Sequence, residues 1–180
     1  GLYATYSDFL YAWHNLVAGC GGYAVYTVKH QPERMIEGRG SLSRGHRIVG
    51  NIFRADAGMY HFQNTDLVAE SNLLHFNASV DGPIRLIAED EFHDLESWRT
   101  FYGKDIQSGG GEYVLEWDED GVSVDLPESV EESELVHWPE REWLRRDIDG
   151  KLRERWMPGP WASGGAGRKG LHGSCLMVNA

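Results

Sequence analysis

No stretch of this chain approaches the ~18 consecutive apolar residues of a membrane-spanning helix. The apolar segment near its start, residues 2–17, is broken by Asp8, His14 and Asn15, so it does not read as a signal peptide either. Positive charge is short as well. Seventeen Lys and Arg stand against 28 Asp and Glu, for a net charge of −11. A nucleic-acid reader needs a basic face to meet phosphates, so no nucleic-acid partner is expected. Cysteine is scarce: Cys20 and Cys175 are too few for a disulfide framework, and the default expectation is two free thiols in a reducing, cytoplasmic setting.

Familiar chemical signatures are missing too. There is no His-x-His, no His-Glu-x-x-His and no Gly-x-Ser-x-Gly, and the glycine run at Ser108 to Gly111 lacks the Lys-Ser/Thr of a phosphate loop. His61, His75 and His93, with Glu89, Asp90, Glu91 and Asp94, offer scattered metal ligands at no standard spacing. Neither a metal nor another cofactor is expected.

The length, 180 residues, suits one domain spanning residues 1–180. Its last part, residues 158–180, reads as a Gly/Pro-rich tail packed on that domain, with Leu176, Met177 and Val178 as a final short strand. Charge is segregated. Ten carboxylates and no Lys or Arg lie between Glu112 and Glu134, and six basic residues lie between Arg141 and Arg155. The plain reading is two solvated surfaces of opposite sign. Asn77 to Ser79 matches a glycosylation acceptor but falls inside an expected strand, so it reads as chance.

Periodicity points mainly to strands. Residues 7–17 carry Phe9, Leu10, Trp13, Leu16 and Val17 at helical spacing behind Ser7 and Asp8, which predicts an N-terminal helix with Trp13 plugging one end of the core. Residues 23–28 are β-branched and aromatic. Hairpins are expected around residues 54–58, Asp81-Gly82-Pro83, residues 118–121 and Asp149-Gly150. A second helix is expected over residues 94–102, with Leu95, Trp98, Phe101 and Tyr102 as its apolar side. No internal repeat is evident.

Together these signals predict a mainly β fold. An antiparallel up-and-down meander closes into a barrel, with an N-terminal helix and one further short helix. The architecture resembles a lipocalin-like calyx, although the early Gly-x-Trp of that family is replaced here by Gly21-Gly22-Tyr23. The alternative is the α+β cone of the nuclear-transport-factor-2-like type.

The candidate site follows from the hairpin around Asp81-Gly82-Pro83. One face would carry Leu74, Phe76, Ala78 and Val80 against Ile84, Leu86 and Ala88. The other would carry His75, Asn77, Ser79, Arg85, Ile87 and Glu89, mostly hydrogen-bonding groups, and the preceding hairpin repeats that polar character with Asn51, His61 and Gln63. A solvated sheet face is the ordinary explanation. Facing inward, the same residues would line a pocket. In that case His61 and His75 are the acid–base candidates, since an imidazole titrates near pH ~6.5. Glu89 would orient a histidine, Arg85 would hold a carboxylate or enolate oxygen, and Tyr60 would donate to a carbonyl. Asn51, Gln63 and Asn77 would bind substrate.

Aromatic residues make up 12% of the chain, a surplus that suits an apolar, oxygenated organic ligand. The functional expectation is a cofactor-independent isomerase, cyclase or lyase acting by histidine acid–base chemistry. A non-catalytic carrier and a structural adaptor are the alternatives. A homodimer would cover the apolar outer face of such a barrel.

Overall fold

The computed structural model describes residues 1–5, 7–28, 42–75, 84–86, 90–117, 121–124, 146–147, 150–152, 159, 166–168 and 176–178. Three short strands follow one another in each of three successive stretches. The first holds β2 (Tyr11–Trp13), β3 (Leu16–Cys20) and β4 (Tyr23–Val28). The second holds β5 (His46–Val49), β6 (Ile52–Ala55) and β7 (Gly58–Phe62). The third holds β8 (Leu67–Glu70), β9 (Leu73–His75) and β10 (Ile84–Leu86).

Within a stretch the strands do not pair. Each pairs in parallel with its counterpart one stretch away: β4 with β7 and β7 with β10 in sheet 1, β2 with β5 and β5 with β8 in sheet 2, β3 with β6 and β6 with β9 in sheet 3. A chain that returns to the same three sheets on every lap is a parallel β-helix, a solenoid whose coils are stacked. β1 (Leu2–Thr5) extends sheet 1 by pairing in parallel with β4, and β12 (Gly109–Gly111) extends sheet 3 by pairing in parallel with β9. Antiparallel strands close two edges. β11 (Asp90–Phe92) pairs with β10, and β16 (Leu176–Val178) pairs with β3. A separate antiparallel sheet joins β13 (Leu115–Trp117), β14 (Gly121–Val124) and β15 (Ala166–Arg168).

This overturns the expected antiparallel barrel, and the α+β cone with it. The reason lies in the turns. Residues 54–58 and Asp81-Gly82-Pro83 look like hairpin loops, yet the strands flanking them belong to different sheets and never pair with each other. A corner between two sheets needs the same small and polar residues as a hairpin, so composition alone does not tell them apart. The hairpin expected around residues 118–121 does form, as β13 and β14. Around Asp149-Gly150 the described residues show an isolated antiparallel bridge between Arg146 and Leu152.

The expected N-terminal helix is also absent. Residues 7–17 contain β2 and the start of β3, broken by His14 at φ 54°, a left-handed conformation no helix continues through. Trp13 is half-buried and stacked on Tyr11 rather than plugging the core. The second helix forms as expected, α1 (Leu95–Tyr102). Asp94 caps its start by accepting from the Ser97 amide at 2.7 Å, and Gly103 ends it at φ 61°. Leu95 and Trp98 are buried, whereas Phe101 is 69% exposed.

The interior is built from rows of aligned side chains. Ala12, Ile48 and Ala69 come from sheet 2, Val17, Phe53 and Leu74 from sheet 3, and Val25 and Tyr60 from sheet 1. All are buried. Trp98 adds to this core and meets Phe92 edge-on at 5.5 Å. The space a calyx would leave for ligand is therefore occupied by side chains. No helix among the described residues is long and apolar enough to cross a membrane. Cys20 is disulfide-bonded, which corrects the expectation of free thiols; the one other cysteine in the chain is Cys175.

Candidate functional site

The corner between sheets 2 and 3 has the same construction in all three coils. It consists of two residues: His14-Asn15, Gly50-Asn51 and Ser71-Asn72. The first of each pair is left-handed, at φ 54°, 66° and 53°. The second is an asparagine pointing into the interior. Asn15 donates from Nδ2 to Asn51 Oδ1 at 2.8 Å, and Asn51 donates from Nδ2 to Asn72 Oδ1 at 3.0 Å. Asn72 donates in turn to Asp105 Oδ1 at 3.1 Å. An amide suits every intermediate rung because it both accepts from one neighbour and donates to the next.

The last rung needs only to accept, and a carboxylate stands there. Asp105 is fully buried and receives Trp98 Nε1–H at 3.0 Å, Tyr60 O–H at 3.4 Å and the Ser108 hydroxyl, besides Asn72. Burial pushes the Asp105 carboxyl above its ordinary range, against the pull of these donors. The Tyr60 phenol is raised well above its ordinary value, first by burial and then by the Asp105 charge. Asn51 and Tyr60, both expected to bind substrate, are thus structural members of this internal ladder.

The two candidate catalytic histidines do not meet. His61 lies on β7 in sheet 1, and His75 lies on β9 in sheet 3. His75 is 5% exposed and packs edge-on against Tyr113 at 5.1 Å. Burial lowers its pKa, and the nearby Arg54 charge lowers it further. Glu89 and Asn77 fall outside the described residues. Gln63 is half-buried, and its backbone N–H donates to Thr27 Oγ1 at 3.2 Å.

What gathers around His61 is a different set. In register across sheet 1 stand Tyr3, Tyr26, His61, Arg85 and Glu91, one from each strand in spatial order. Tyr3, Tyr26 and His61 alternate with the buried row of Val25 and Tyr60, so these three occupy the outer face of the sheet. Tyr3 stacks on Tyr26 at 5.2 Å, and Tyr26 stacks on His61 at 4.4 Å with the rings 9° from parallel. Tyr23 leans on both, at 5.9 Å from Tyr26 and 5.3 Å from His61. Exposure falls along the stack, from 66% at Tyr3 to 9% at His61.

Parallel strands spaced about 4.8 Å apart bring aligned rings to stacking distance, so register alone makes this row. His61 and Arg85 stand among the candidates read from the sequence, and Tyr3, Tyr23 and Tyr26 do not. No local spacing marks residues that become neighbours only after one lap of the chain. Among the described residues no three His, Cys, Asp or Glu side chains converge as a metal site. No family model, curated protein or solved structure matches this chain.

Proposed function

We propose that the outer face of sheet 1 binds a ring-bearing, oxygenated organic ligand along the row from Tyr3 to His61. The observation that carries this reading is the aligned stack of Tyr3, Tyr26 and His61, which runs from an exposed ring to a nearly buried one. Tyr3 offers apolar ring surface to a ligand ring. The phenols of Tyr3, Tyr23 and Tyr26 and the imidazole of His61 offer hydrogen bonds beside it. A ring combined with oxygen functions matches that mixture better than a purely aliphatic or strongly anionic ligand, and the chain's net charge of −11 also disfavours anions.

A second reading adds chemistry at the same place and is favoured by one register pair, His61 beside Arg85. An arginine one strand from a histidine would hold a carboxylate or enolate oxygen while the imidazole moves a proton. That is the requirement of an isomerase or a lyase working without a cofactor.

The test is an NMR titration of the folded protein with a panel of phenols, terpenoid alcohols and short oligosaccharides. Ligands of the proposed class should shift the Tyr3, Tyr26 and His61 resonances first, and Tyr26→Ala should abolish binding while circular dichroism is unchanged. Binding that survives both Tyr26→Ala and His61→Gln overturns the face as the site. If turnover is found, His61→Gln should lower it by about 10²–10⁴-fold.

A further inference from the structure

His46 opens β5 and is fully buried. Its ring is held from both sides. The backbone N–H of Leu10 donates to Nδ1 at 3.1 Å, and Nε2 lies 3.0 Å from Ser43 Oγ. A ring nitrogen that accepts an N–H carries no proton of its own. The neutral imidazole must therefore bear its hydrogen on Nε2 and donate it to Ser43. The contact joins segments 36 residues apart in the chain.

Around it the two segments are laced together by the Phe9 N–H to Arg44 carbonyl bond at 2.9 Å and the Arg47 N–H to Leu10 carbonyl bond at 2.8 Å. Phe9 and Ser43 are both left-handed, at φ 62° and 54°, a conformation that costs of order 1–3 kcal/mol in residues other than glycine. The corner is held in shape by its hydrogen bonds against that strain.

We propose that His46 is an acid-sensitive latch: neutral, it holds residues 7–10 on β5, and protonated, it releases them. A second ring proton must go to Nδ1, where it faces the Leu10 N–H, donor against donor. The bond is then lost and a cation is left buried in its place. The charged groups facing the ring are Asp8 from the released segment, which also pairs with Arg44 at 3.7 Å, and Asp66 from the turn before β8. Arg47, next along β5, is exposed. Asp8 and Asp66 favour the imidazolium, but burial outweighs them and holds the His46 pKa below its ordinary value. The latch therefore stays closed at neutral pH and opens on acidification. The released segment links β1, which carries Tyr3, to β2, which carries the stacked Tyr11 and Trp13. The latch stands whether or not sheet 1 binds a ligand.

The experiment is amide hydrogen exchange, expressed as protection factors, on the whole chain at pH 7 and pH 5. Protection at Phe9 and Leu10 should fall about five- to tenfold in acid relative to the β6 and β9 amides, the factor expected for one buried hydrogen bond. His46→Asn keeps an acceptor near the Nδ1 position and cannot titrate, so the local loss should vanish. Should that variant fail to fold, the wild-type ring itself decides, because its NMR titration must fall below pH ~6.5 and coincide with movement of the Leu10 amide resonance. An acid loss that persists in His46→Asn, or an imidazole titrating at or above the free value, overturns the latch.

Discussion

Replacing Asn51 with alanine should be among the most damaging single changes in this protein. Its side chain makes four buried hydrogen bonds. Oδ1 accepts from the Asn15 amide N–H at 2.9 Å and from Asn15 Nδ2 at 2.8 Å, while Nδ2 donates to the Ala12 carbonyl at 2.9 Å and to Asn72 Oδ1 at 3.0 Å. Asn72 Oδ1 keeps the Asn51 backbone N–H at 2.9 Å, so it is not stranded. The two Asn15 donors lose the acceptor they share. At about 1–3 kcal/mol for each of the two stranded buried groups, the expected loss is about 2–6 kcal/mol. A domain is typically stable by only about 5–15 kcal/mol, so the effect is a large share of the whole. Equilibrium urea unfolding measures it, with Asn64→Ala as the control. Asn64 makes two exposed bonds, donating to the Leu42 carbonyl at 3.2 Å and accepting the Asp66 N–H at 2.8 Å, and because water replaces both its removal should cost at most about 1 kcal/mol. A loss below about 1 kcal/mol for Asn51→Ala, with the denaturant slope unchanged, would refute the ladder as a stabilising element.

Other outcomes follow from the same geometry. Asp105→Asn turns an acceptor-only rung into one that must aim an N–H₂ at donors, and should cost about 2–4 kcal/mol in urea unfolding; a neutral result would mean the carboxyl is already protonated and donating. The lowered pKa of His75 means the folded chain binds fewer protons than the unfolded one below pH ~6.5. The stability it contributes is therefore complete above that pH and is lost as the pH falls, and His75→Gln should flatten the urea midpoint between pH 7 and 5. Gly50→Ala places a Cβ at φ 66° and should cost about 1 kcal/mol, whereas Ser71→Gly at φ 53° should recover a similar amount; equal effects of one sign would contradict the left-handed corner. Cys20→Ser should lower thermal stability by the equivalent of about 2–5 kcal/mol, and an unchanged melting temperature would show the disulfide to be dispensable.

Local features of this molecule can be read from its sequence, and long-range ones largely cannot. Strand character around Tyr23 to Val28 and the capped helix after Asp94 depend on neighbours in the chain, and both are visible there. Parallel pairing is not, because Tyr26 and His61 meet across 35 residues with no local trace. The repeat itself was legible in principle. Asn15, Asn51 and Asn72 are each followed by leucine or isoleucine and then by a further apolar residue. A search at constant period misses them, since the intervals are 36 and 21 residues. The interval varies because 17 residues separate β4 from β5 but four separate β7 from β8, while the Asn corner stays at two residues in each coil. The same irregularity made residues 7–17 resemble a helix. Phe9, Trp13 and Leu16 are helically spaced by coincidence, and His14 interrupts them with a backbone the pattern does not report.

The matching Asn corners make the stretch from Asn51 to Asn72 an interchangeable part. At the Asn corner the bonds it offers to one neighbouring coil are of the kind it accepts from the other: asparagine to asparagine on the inside, and strand to strand in parallel along the sheets. A second copy spliced in at that corner would meet the donors and acceptors already expected of its neighbours, lengthening the molecule by one rung of about 4.8 Å. The amide ladder would grow by one amide, and the carboxylate of Asp105 would still stand at its end. Deletion is constrained in the opposite way. Removing Asp105 and its loop takes the acceptor from one Asn72 Nδ2 hydrogen, the other staying on the Ile48 carbonyl at 2.8 Å, and from the buried Trp98 Nε1–H, so this chain can gain length in the middle far more readily than it can lose its terminal acceptor.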